Sequence, residues 1–136
     1  MNDPKPIESV SVLFIHEQHI FAVQRQPYLH AFPGYHAFPG GKIEKDEAST
    51  PFETDFLCEH DALRMHALQR EIIEELGYDL EEGIKNGEVL SVSELAEALA
   101  PPFAPIRFRT WFYRVDLRNR INFKVDSGEF ADSFWK

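Results

Sequence analysis

A single cysteine, Cys58, stands in 136 residues, so no intrachain disulfide can form, and the fold has to rest on its hydrophobic core. Basic residues are also scarce. Fourteen Lys and Arg face 23 Asp and Glu, a formal charge of -9, which makes the chain a poor binder of nucleic-acid polymers, since these are held by clustered cations. No apolar run approaches membrane-spanning length, and Met1 to Ser9 is polar and proline-bearing rather than a signal-peptide core. These absences point to a soluble, cytoplasmic protein. A hydrophobic fraction of 43% and an aromatic fraction of 13% suffice for one ordinary core, and the length suits a single domain over 1–136.

Strand-forming residues open the chain. Ser9 to Ile15 and His19 to Gln24 read as a hairpin turning at His16 to Gln18. Pro27 to Tyr35 is a loop in which HAFPG occurs at 30–34 and again at 36–40. Asp61 can cap a helix that runs to Leu76 and stops at Gly77, with Met65, Leu68, Ile72 and Leu76 as its apolar stripe. Leu80 to Lys85 and Ser91 to Leu99 suit short helices, with Glu88 to Val92 as a competing strand. Ile106 to Val115, Ile121 to Val125 and Phe130 to Trp135 read as strands, the last two joined by a turn at Asp126-Ser127-Gly128. Strands, a long helix and then more strands predict an α+β domain with a mixed sheet packed against helices. The sequence stops inside a strand, either as a natural short form or with a C-terminal element missing.

The chemistry concentrates in Arg70-Glu71-Ile72-Ile73-Glu74-Glu75-Leu76-Gly77. On a helix, Glu71, Glu74 and Glu75 project within an arc of about 100°, on a face expected to lie away from the apolar stripe. Crowded carboxylates repel one another, and a hard divalent cation relieves the repulsion by taking several of their oxygens. Arg70 can hold a carboxylate in a bidentate ion pair. Upstream, Gly40-Gly41 lets a metal or phosphate approach the backbone closely, and Glu47 ends an acidic loop that can fold back over the helix.

Arg70 to Gly77 followed by Tyr78 resembles the helical half of the Nudix box. Gly41-x5-Glu47, preceded by Ala37-Phe38-Pro39-Gly40, resembles its loop half. Here 22 residues separate Glu47 from Arg70, so the box, spanning 40–78, carries an insertion at about 48–62. The chain is similar in this to a branch that includes peroxisomal coenzyme A diphosphatases. Phe32-Pro33-Gly34, Pro101-Pro102-Phe103 and Pro105 to Phe112 add to that likeness. The resemblance implies a Nudix-type α/β/α sandwich, here without its C-terminal helix, and a pyrophosphohydrolase dependent on Mg2+ or Mn2+. It assigns Glu71, Glu74, Glu75 and the Gly40 carbonyl to the metal. Arg70 orients the carboxylates, and Glu47 either pairs with that arginine or assists catalysis. Glu129 corresponds to a late glutamate that is a ligand or the general base, with an ordinary turn residue as the plain alternative. The expected reaction is attack of a cation-activated water on one phosphorus of a diphosphate.

The implied partner is a small diphosphate, such as a nucleotide, dinucleotide, nucleotide sugar or coenzyme A derivative, with no nucleic-acid polymer or membrane and with a homodimer permitted. Arg25, Arg107 and Arg109 are candidates to hold its phosphates. Phe108, Trp111, Phe112 and Tyr113 read as core or sheet-face residues, any one of which can stack on a base. Cys58, His60 and His66 fit no zinc spacing. The 48–62 insertion is either a substrate lid or a tolerated surface loop. Two other readings share the fold: a module that senses a nucleotide without hydrolysing it, and a catalytically incomplete fragment.

Overall fold

The computed structural model describes residues 5–30, 32–100 and 107–136. Pro101 to Ile106, with the proline pattern and the first residue of the strand expected from Ile106, lie outside the described residues, as does Ala31 of the first HAFPG copy.

β1 (Ile7–His16) and β2 (His19–Arg25) form the expected hairpin, closed by a tight turn in which Glu17 takes φ 56°. They pair only near that turn, at Ile15 with Ile20 and His16 with His19. Beyond it they part. The first half of β1 is paired instead by β4 (Gly40–Lys42), and β2 by β3 (His36–Ala37) on one edge and β7 (Phe130–Trp135) on the other. β6 (Phe108–Leu117) runs parallel to β1 along its length, and β5 (Val89–Leu99) runs antiparallel to β6 at the sheet edge. The sheet is therefore mixed, as predicted, and it is split where β1 and β2 diverge.

Alternation along β1 sends Val10, Val12 and Phe14 to one face, where they meet α1 (Ala62–Leu76). Met65, Leu68, Ile72 and Leu76 form the predicted stripe, each fully buried. Asp61 caps the helix by accepting from the Arg64 N–H at 3.1 Å, and Gly77 stops it in the left-handed region at φ 61°. A short α2 (Leu80–Lys85) follows and buries Leu80 in the same core.

Two elements differ from the sequence reading. Ser91 to Leu99, which suited a short helix with a strand at Glu88 to Val92 as its competitor, is strand, and β5 runs from Val89 through Leu99. Its Leu, Ala and Glu are good helix formers, but β6 offers an open edge as long as the segment itself, and a ladder along it satisfies the backbone of both. Ile121 to Val125 alternates like a strand, and Phe123 does enter an aromatic cluster with Phe14, Phe21, Tyr78 and Trp135. Its backbone nevertheless joins no sheet. Lys124 N–H donates to Leu76 O at 3.0 Å and Asp126 N–H to Glu75 O at 2.8 Å, so the segment satisfies the last carbonyls of α1.

Candidate active site

The gap between the diverging strands is a cavity of about 570 Å³. Its floor is Ser9, Ser11, Thr110 and Phe112, the β1 and β6 side chains facing away from α1. One end carries Glu71, Glu74, Arg25 and Glu129; the wall is built from Phe32, Tyr35 and Phe38 with Phe108.

The acidic end depends on how closely β4 approaches α1. A Cβ at Gly40 would stand 2.1 Å from the Val10 carbonyl oxygen, and one at Gly41 would stand 2.4 Å from the Glu71 carboxyl carbon. Only glycines let the loop lie this close. Gly40 N–H then donates to Glu75 Oε1 at 2.8 Å, tying the loop half of the motif to its helical half. The other oxygen, Glu75 Oε2, is buried and has no hydrogen-bond partner.

The carboxylates do not turn away from the apolar stripe as expected. Glu71 is 9% exposed and Glu75 only 2%. At 100° per residue Glu75 stands beside Leu68 and Ile72, so the acidic arc abuts the stripe and is drawn inward with it. Glu74, at the outer end of the arc, is exposed.

Arg70 is the hub. Its Nε and Nη2 engage both oxygens of Glu47, at 3.1 and 2.8 Å, and its Nη1 donates to Glu71 at 2.9 Å and to Glu74 at 3.2 Å. Nη2 also donates to the Lys42 carbonyl at 2.9 Å. The guanidinium is held charged, chiefly by its bonds to Glu47. Glu47 does fold back over the helix. It reaches Arg70 and does not line the cavity.

Burial raises the pKa of Glu71 despite the opposing Arg70 charge, and it pushes Glu75 up to about 9, with the charges of Glu129 and Glu71 adding to the effect. The Arg70 bonds hold Glu47 below its ordinary 4.5. These shifts have opposite linkage. The Glu47 contribution to stability is present above pH 4.5 and is lost in more acid solution. The Glu75 contribution is complete below 4.5 and is lost as pH rises through about 9. The melting temperature of the cation-free protein is therefore expected to fall by several degrees between pH 6 and 9. Glu75→Gln should flatten that slope; an equally steep slope in the variant would refute the assignment.

Arg25 Nη1 donates to Glu129 Oε1 at 3.2 Å, and both line the cavity. Arg107 and Arg109 have partners elsewhere. Arg107 donates to the Ala100 carbonyl at 3.2 Å, and Arg109 pairs with Glu97 at 3.0 Å; neither lines the cavity. Phe108 and Phe112 face the cavity, whereas Tyr113 enters the core and Trp111 lies under the Arg64 guanidinium.

Residues 48–62 do not line the cavity. Leu57 is buried, Phe52 stacks on His66 at 4.3 Å, and the rings of His60 and His66 donate to the carbonyls of Val92 and Thr50. Segment 48–62 packs along α1; Thr50 and Phe52 engage His66, His60 is engaged by Val92 of β5, and Cys58 is exposed. The sequence reading missed Ser9, Ser11, Phe32, Tyr35 and Thr110 as cavity residues. The repeated HAFPG was the one signal pointing to that wall.

The fold is that of the Nudix hydrolases. The chain is similar to a NUDIX hydrolase from Alicyclobacillus acidocaldarius, with a TM-score of 0.74 and 18% identity over 96% of this chain and 78% of that one. It is also similar to the NUDIX domain of Shewanella oneidensis NrtR complexed with ADP ribose, with a TM-score of 0.62 and 15% identity over 97% and 73%. A third likeness is to the E. coli dihydroneopterin triphosphate pyrophosphohydrolase, with a TM-score of 0.59 and 16% identity over 94% and 78%. No protein-family model and no curated protein matches the chain in sequence. Among the described residues, no helix is long and apolar enough to cross a membrane.

Proposed function

We propose that the chain is a pyrophosphohydrolase that uses Mg2+ or Mn2+ to cleave the diphosphate of a nucleoside diphosphate derivative. The observation that carries this reading is the buried, unpartnered Glu75 Oε2 beside Glu71, under a Gly40-Gly41 backbone that a Cβ would obstruct. An ionised carboxylate pair is costly in such a place unless a cation joins it. The donors are all oxygen, which suits a hard divalent ion. Among the described residues, no three acidic, histidine or cysteine groups converge into a ready-made cage. Arg70 holds Glu71 and Glu74, and Gly40 holds Glu75, so Glu71, Glu74 and Glu75 would have to exchange those bonds to hold a cation, with the Gly40 carbonyl completing the set. When bound, it would lower the pKa of a water and neutralise charge growing on the phosphoryl oxygens.

The chain's own groups do the rest. Arg70 anchors Glu47 and keeps the carboxylate-bearing turn in place. Glu129 is the general base: it takes a proton from the water as the water oxygen bonds to phosphorus and the bridging P–O bond breaks. Arg25, displaced from Glu129, meets a phosphate oxygen. The aromatic wall suits a planar ring at the far end of the substrate, which favours nucleotide, dinucleotide, nucleotide-sugar or coenzyme A-type diphosphates. Of the structural neighbours, one holds ADP ribose and one is a pyrophosphohydrolase of a pterin triphosphate.

The test is product release from a panel of these diphosphates with and without Mg2+ or Mn2+. Cation-dependent turnover of at least one member is expected. Tight binding with no turnover would replace the enzyme by a sensor, and neither binding nor turnover would sink the reading.

A further inference from the structure

Glu129 stands on the turn that leads into β7, and its position depends on what holds that turn. The β2–β7 ladder does not reach it. The register shifts at Gln24/Arg25, and the last paired residue is Phe130. Past that point the turn is closed by Asp126, whose carbonyl accepts from the Glu129 and Phe130 N–H groups, Tyr28 donates to the Gly128 carbonyl, and Gln26 ties the turn to the end of β2. The Gln26 backbone N–H donates to the Glu129 carbonyl at 2.8 Å. Its side-chain Nε2 donates to the Ser127 carbonyl at 2.9 Å and to the Phe130 carbonyl at 3.2 Å, on either side of Glu129. Its own carbonyl accepts from Gly34 N–H at 3.3 Å, on the loop that presents the aromatic wall. The neighbouring Arg25 holds the Glu129 carboxylate.

We propose that Gln26 is a positioning residue, whose carboxamide fixes the 127–130 turn and thereby sets where the Glu129 carboxylate stands over the substrate. This rests on the reading of the cavity as a diphosphate hydrolase site. The physical reason is the short reach of proton transfer: a carboxylate on an unsupported turn samples positions an ångström apart, and misplacement on that scale costs up to about 100-fold in rate. The two carbonyls flanking Glu129 need a donor with two hydrogens aimed at both, which a primary amide supplies.

The test uses Gln26→Glu, which keeps the size of the side chain but sets acceptor oxygens against two carbonyls. Gln26→Ala serves as a second variant that removes the donors without repulsion. Amide hydrogen exchange at Gly128 and Glu129 is expected to quicken by roughly tenfold or more in both. In the active enzyme, kcat should fall about 10- to 100-fold with KM within about twofold. Combining Gln26→Glu with Glu129→Gln should be within about twofold of Glu129→Gln alone, because Gln26 acts through Glu129. Losses that multiply in the double variant, or an unchanged kcat, would overturn the proposal. If the wild-type protein turns over no diphosphate, the functional reading fails instead. Exchange then judges the turn separately, and unchanged protection in both variants would refute the role given to Gln26.

Discussion

Glu75→Gln is expected to lower kcat about 1,000-fold while raising the melting temperature of the cation-free protein at pH 8. The two effects have one cause. Glu75 is buried with one oxygen bonded to the Gly40 N–H and the other without a partner, and burial together with Glu129 and Glu71 pushes its pKa up to about 9. Holding this carboxyl in the folded state at pH 8 costs stability, either as a buried charge or as the proton needed to neutralise it. A glutamine keeps the acceptor for Gly40 and removes that cost. It also removes the negative charge that a divalent cation would neutralise, and with it electrostatic stabilisation worth several kcal/mol in the transition state, on the order of 1,000-fold in rate. Added Mn2+ should raise the melting temperature of the wild type and leave Glu75→Gln nearly unmoved. Activity close to wild type, or a lower melting temperature without cation, would contradict the site as drawn.

The adjacent glycines are expected to respond differently to the same substitution. A methyl group at Gly41 meets the far end of the Glu71 side chain, 2.4 Å from its carboxyl carbon, and that end can swing away. Gly41→Ala should therefore fold, losing about 1–3 kcal/mol, while activity drops about 100-fold because Glu71 no longer stands beside Glu75. A methyl at Gly40 meets the backbone of β1, 2.1 Å from Val10 O, and no rotamer relieves that. Gly40→Ala should break the β1–β4 pairing and yield little folded protein. Urea unfolding and circular dichroism separate the two, and equal behaviour of the variants would show that the loop is not seated as described.

Local rules explain why the motif, α1 and the β1–β2 hairpin could be read from the sequence. Asp61, Gly77 and the stripe from Met65 to Leu76 are short-range signals, and each appears where it was expected. The pairing of Glu47 with Arg70 was one of the two roles that the family resemblance implied for Glu47, and the ion pair is the one the structure places. Only the start of β5 was legible, as the strand alternative at Glu88 to Val92; its extension to Leu99 depends on an open edge of β6 that exists only once the sheet has formed. Ile121 to Val125 misled for a related reason: alternation reports which side chains are buried, whereas the backbone's partners turned out to be the end of a helix.

The residues of the candidate site were legible in the sequence: acidic oxygens at helical spacing, a glycine pair that a backbone approach requires, and an arginine to hold the carboxylates. These follow from residue type and from spacings of one to six residues, where chain geometry leaves little freedom. What surrounds those residues depends on long-range contacts. The splitting of β1 from β2 opens the cavity, and the parity of β6 turns Phe108 and Phe112 toward it and Tyr113 toward the core. Gln26 meets the turn of Glu129 across a separation of about 100 residues. Such contacts join segments far apart in the chain, and the free energy that selects them comes from packing the whole sheet against α1, a sum that no short stretch of sequence contains.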